Sequence, residues 1–106
     1  MEKLLVCIAS HNISERMEYV RKLIKEFRAY PLDVHIIIDS NESCEECLGQ
    51  KDIELYMHTF LEHPYYLTWM HRRHFVKELE NYDWFMYVED DMLVPFESFK
   101  TYMENF

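Results

Sequence analysis

The sequence predicts an α/β sandwich built on a mainly parallel sheet. Three observations predict it. Strand-like and helix-like segments alternate along the chain, in the order β-α-β-β-α-β-α. The first two strand-like segments are unbroken apolar runs, the pattern of strands covered on both faces. Polar clusters then follow the strands, at the sheet end where ligands bind in folds of this kind.

The elements follow in chain order. Leu4 to Ala9 reads Leu-Leu-Val-Cys-Ile-Ala and forms the first strand, closed by Ser10-His11-Asn12. Asn12 with Glu15 three residues on has the capping-box pattern of a helix start. Met17, Val20, Ile24 and Phe27 recur at helical spacing and form its apolar face. Arg16, Lys22, Lys25 and Glu26 take the solvent side, and Pro31 ends the helix. Val34 to Ile38 is the second strand, closed by Asp39-Ser40, and residues 40–52 are polar and loop-like. Ile53 to His58 alternates apolar and polar residues and makes a third strand. His63-Pro64 opens a second long helix that runs to about Tyr82, with Phe75, Leu79 and Tyr82 at core spacing. Trp84 to Val88 is the last strand, ended by Glu89-Asp90-Asp91. Pro95 starts a short helix with Phe96, Phe99, Met103 and Phe106 on one face. The sum is a Rossmann-like three-layer sandwich, one domain over residues 1–106.

Composition narrows the function. The chain has 106 residues, 49% hydrophobic, which suits one globular domain. It holds a single glycine, Gly49, where average usage gives about seven. A Walker A loop needs two glycines and a dinucleotide fingerprint three, so neither exists here. The net charge of −9 argues against nucleic acid and against anionic membrane surfaces. No run of about 18 apolar residues is present to span a membrane. The N-terminus leads straight into a strand and lacks a signal-peptide layout. Three cysteines, at 7, 44 and 47, make no disulfide framework and suit a reducing, cytoplasmic setting.

Glu89-Asp90-Asp91 is the leading chemical candidate. Adjacent carboxylates repel, and a hard divalent cation such as Mg²⁺ or Mn²⁺ gives a reason to gather them. The cation would bridge to substrate phosphates in place of the missing glycine loop. A solvated acidic turn capping the next helix is the plainer alternative. The cluster's position after an apolar strand, alongside two other polar strand ends, favours the metal. Asp39 suits hydrogen bonds from a base or ribose, although Asp-Ser-Asn is also good turn chemistry. His71-Arg72-Arg73-His74 brings guanidinium groups that fit phosphate, yet consecutive helical positions diverge and cannot all face one site. Cys44-Glu45-Glu46-Cys47 is a single C-x-x-C and lacks the two further ligands of a structural zinc site. His58 and His63 match no common finger spacing, so the cysteines read as an incidental loop pair. Cys7 reads as a small core residue and His35 as a packed strand residue. Tyr65, Tyr66 and Trp69 either stack on a sugar or base or fill the core.

With these residues in view, the chain resembles the GT-A nucleotide-sugar glycosyltransferases. The apolar strand, Ser-His-Asn, helix and Val-His-Ile-Ile-Ile-Asp look like their opening. Tyr87-Val88-Glu89-Asp90-Asp91-Met92-Leu93-Val94-Pro95 is similar to their acidic D-x-D motif in its Glu-Asp-Asp form, as in N-acetylglucosaminyltransferase I-like enzymes. Leu67-Thr68-Trp69-Met70-His71-Arg72 is similar to an L-T-W-x-H-R pattern that precedes the motif. The resemblance implies a GT-A fold and transfer of a sugar from a nucleoside-diphosphate donor, typically a UDP-sugar, to a glycan or other hydroxyl acceptor. It implies that Ser10 and Asn12 line the nucleotide pocket and that Asp39 faces the nucleobase. Arg72 would approach the base or diphosphate. Glu89 belongs to the donor-binding motif, and Asp90 would contact the ribose or sugar. Asp91 would coordinate the Mn²⁺ or Mg²⁺. Acceptor elements and any catalytic base lie downstream of the motif in that family, while this chain ends 15 residues after Asp91. The expectation is the donor-binding half of a larger domain, with apolar surface that favours self-association. Two other classes stay open. One is a metal-dependent phosphohydrolase, though its acidic cluster usually follows the first strand, where Ser10-His11-Asn12 stands. The other is an incomplete fragment acting as a binding or interaction module.

Overall fold

The structure, a computed structural model, describes residues 1–58 and 64–105. His63 and Phe106, expected in the second and last helices, and the side chain of Tyr65 lie outside what is described. The element order is the expected one: β1 (Lys3–Ser10), α1 (Ile13–Arg28), β2 (Asp33–Ser40), β3 (Ile53–Met57), α2 (His71–Lys77), β4 (Trp84–Glu89) and α3 (Phe96–Glu104). The four strands form one sheet in the order β3-β2-β1-β4, and every neighbouring pair is parallel. The sheet is therefore wholly parallel, and all its carboxyl ends share one edge.

The apolar runs exist because β1 and β2 are covered on both faces. Leu4, Val6, Ile8, Ile36, Ile38 and Val88 point to one side, into the main core with Val20, Leu23 and Phe27 of α1 and Phe99 of α3. Leu5, Cys7 and Ile37 point to the other side, against Phe75, Tyr82 and Phe85. Each large apolar side chain so buried contributes about 1.5–3 kcal/mol. Tyr30, just past α1, ties the third layer to the rest. Its ring meets Phe96 edge-on at 5.1 Å, and its hydroxyl donates to the Val94 carbonyl at 2.6 Å.

The second covering layer differs from expectation. Instead of one helix to Tyr82, a 3₁₀ segment at Pro64–Trp69 is followed by the seven-residue α2. Tyr66, Thr68 and Trp69 are weak helix formers. The helix stops at Glu78, and Leu79, expected in the core, is 65% exposed. Leu67 and Phe75 carry the packing of this layer. Cys44 and Cys47, in the loop between β2 and β3, are both buried against the main core. Among the described residues, no helix is long and apolar enough to cross a membrane.

Candidate functional site

Strand register brings the polar strand ends together. Ala9 pairs with Asp39 on one side and with Glu89 on the other. A cleft of about 580 Å³ opens beyond the ends of β1 and β4, within the usual range for a small-molecule site. Ala9, Asn12, Glu15 and Arg16 form one wall; Glu89, Asp90 and Asp91 form another; Leu67 and Thr68 flank them.

Asp90 is the best-anchored of the three acids. It is 7% exposed and accepts from the buried Ser10 hydroxyl at 2.8 Å. Arg16 clasps it with two further bonds, Nε to Oδ2 at 3.2 Å and Nη2 to Oδ1 at 3.0 Å. The Asp90 hydrogen bond and charge in turn hold the Arg16 guanidinium above its ordinary pKa. Arg16 was expected on the solvent face; it is instead the partner that allows a carboxylate to be buried here. Ser10 serves Asp90 from within the fold. Glu89 and Asp91 are exposed at the cleft.

Asn12 lines the cleft but forms no capping box. It sits in the left-handed region, at φ 56 and ψ 55, where Asn is among the few tolerated residues, and its side chain makes no cap bond. Its amide donates to Asn41 Oδ1 at 2.7 Å, and Asn41 Nδ2 donates back to Asn12 Oδ1 at 2.9 Å. Glu42 accepts from both the amide and the hydroxyl of Ser14, which keeps its carboxyl below the usual range. The Glu15 amide donates to the Asn12 carbonyl at 2.9 Å. The amides of Asn12, Ser14 and Glu15 are therefore all engaged. Helix starts often bind phosphate through such amides; here they are taken.

Asp39 is 2% exposed and is held by two histidines that the sequence did not connect to it. His58 Nε2 lies 2.7 Å from Oδ1, and His74 Nε2 lies 2.9 Å from Oδ1 and 3.1 Å from Oδ2. The carboxylate thus sits behind the strand ends and sets two imidazoles there. Arg72 is exposed, with its guanidinium 4.5 Å over the Trp69 ring, and is not part of the cleft wall. His71 stacks on Tyr87 at 4.1 Å, and burial pushes its pKa below the ordinary 6.5.

The cleft's donor set can be tested against a divalent cation. Among the described residues, no group of three or more His, Cys, Asp or Glu side chains could hold a metal unaided. Mg²⁺-type sites do not require one, because they use one or two carboxylates plus substrate phosphates and water. Glu89 and Asp91 supply hard oxygen donors of that number, next to an acid already neutralised by Arg16. The residues fit a cation that arrives with a phosphate ligand. Comparison of the chain with protein-family models, curated proteins and solved structures returns no match.

Proposed function

We propose that this chain binds a nucleoside-diphosphate sugar, in particular a UDP-sugar, through Mn²⁺ or Mg²⁺ at Glu89 and Asp91, in the manner of a glycosyltransferase that passes the sugar to an acceptor hydroxyl. One observation carries the reading. A ligand-sized cleft at the carboxyl edge of a parallel sheet presents two exposed carboxylates, Glu89 and Asp91, while the amides of Asn12, Ser14 and Glu15 at the nearby helix start are already engaged. A phosphate has the cation route open to it and neither a glycine loop nor those amides.

Each residue then has a part. Asp91, with Glu89, would hold the cation, which when bound supplies neutralisation of the charge growing on the departing diphosphate. Asp90, fixed by Ser10 and Arg16, keeps one lone-pair direction on Oδ1 for a ribose or sugar hydroxyl. Asn12 lines the nucleotide side of the cleft. Asp39 sets His58 and His74 near the strand edge where the base would lie. Arg72, stacked on Trp69, reaches a donor only from outside the cleft wall. The free thiols of Cys7, Cys44 and Cys47 support a reducing, cytoplasmic location. Exposed Val76, Leu79 and Leu93 support self-association.

Thermal unfolding with a UDP-sugar tests the proposal. Stabilisation is expected with Mn²⁺ present and none in EDTA, with Asp91→Asn abolishing the gain. Equal stabilisation in EDTA, or none in either, would overturn it.

A further inference from the structure

The C-x-x-C motif takes no part in the cleft, and the structure gives it a third sulfur. Cys44 precedes a 3₁₀ turn, Glu45–Cys47, closed by a bond from the Cys47 amide to the Cys44 carbonyl at 3.2 Å. That turn puts the two thiols in contact. Cys47 Sγ donates to Cys44 Sγ at 3.3 Å, and Cys44 Sγ donates to Met17 Sδ of α1, also at 3.3 Å. The three sulfur atoms thus form a chain, Cys47 to Cys44 to Met17, at the edge of the main core. Cys47 also lines a second cavity, of about 280 Å³, whose wall carries Arg21, Lys25, Arg28 and Glu46.

We propose that Met17, Cys44 and Cys47 form a site for a soft monovalent cation, Cu(I). The donor set decides the ion. Zinc takes four Cys, His or carboxylate ligands, and no set of even three such groups meets among the described residues. A thioether beside two thiolates suits Cu(I), which accepts soft sulfur. Metal–sulfur bonds of about 2.3 Å, as for zinc thiolates, put three trigonal sulfurs about 4 Å apart, so each 3.3 Å contact needs to widen by less than 1 Å. Binding forms three Cu–S bonds and breaks two S–H bonds, with both protons leaving to buffer. Copper stays Cu(I), so no oxidant or reductant is consumed. The product carries one net negative charge. The cavity wall beside Cys47 carries Lys25 as well as the Arg21–Glu46 pair, which places basic side chains near that charge. A cation with high sulfur affinity displaces the proton directly.

The test is an anaerobic titration of the chain against a chromogenic Cu(I) chelator. Wild type should withdraw one equivalent. Met17→Leu should bind at least tenfold more weakly, and C44S/C47S should withdraw none. Cys7→Ser should match wild type, because Cys7 packs on the opposite face of the sheet. X-ray absorption of the loaded wild-type chain should count three sulfur neighbours, a readout that needs no core cysteine variant to fold. Failure of wild type to compete, wild-type affinity in Met17→Leu, loss in Cys7→Ser, or only two sulfur neighbours would overturn the proposal.

Discussion

At the scale of single residues, the candidate site depends on how a carboxylate is buried. Asp90 keeps its charge out of water because Ser10 and Arg16 present three donors to it. Arg16 stands 74 positions away in sequence, and its helical spacing put it with the solvent-facing residues. One signal was available: a cation near the start of a helix opposes the helix dipole, so it needs an anionic partner close by. Ser10→Ala removes a fully buried donor to a charged acceptor and should cost about 1.5–3 kcal/mol in urea unfolding. Arg16→Met should shift stability in the same direction. Unchanged midpoints in both would mean that Asp90 does not depend on them. The pairing of Asp39 with His58 and His74 was equally hidden, since nothing in local spacing links positions 39, 58 and 74. The acidic triplet itself was legible, because three adjacent acids after an apolar strand have few structural reasons to be there.

At the scale of elements, local pattern succeeded wherever burial was two-sided or periodic. β1, β2 and α1 announce themselves through unbroken apolar runs and a 3.6-residue stripe. The second helix did not, because Phe75, Leu79 and Tyr82 have core spacing but only Phe75 and Tyr82 pack on the sheet. Phe75→Ala should cost about 2 kcal/mol, while Leu79→Lys should change stability by less than about 0.5 kcal/mol. Comparable losses for the two would restore the longer helix. The polar stretch between β2 and β3 is held to α1 by Glu42 on Ser14, Glu46 on Arg21 and Asp52 on Arg28. These partners lower all three carboxyl pKa values, chiefly through the side-chain hydrogen bond. A lowered folded pKa contributes stability that is present above the ordinary values, 4.5 for Glu and 3.8 for Asp, and lost as pH falls through the folded ones. Hydrogen-exchange protection factors in residues 41–52, taken relative to intrinsic exchange at each pH, should therefore fall below about pH 4.5 while those of β1 hold. An equal fall across β1 and the loop would contradict this.

At the scale of the whole molecule, an all-parallel sheet puts every strand's polar end on one edge, and that single fact makes the site. The alternation of elements foretold it. What the alternation did not reveal is that the loop after β2 occupies the start of α1, through Asn41 and Glu42. That occupation sharpens the role of the acidic cluster. With one glycine in the chain and the amides of Asn12, Ser14 and Glu15 engaged, the proposed function assigns phosphate recognition to a cation on Glu89 and Asp91. Calorimetric titration of UDP into the chain, with Mn²⁺ and then in EDTA, measures this directly. Saturable binding is expected with Mn²⁺, weakening at least tenfold, or about 1.4 kcal/mol, in EDTA and in Asp91→Asn. Affinity that is the same with and without the metal, or that Asp91→Asn leaves intact, would contradict it.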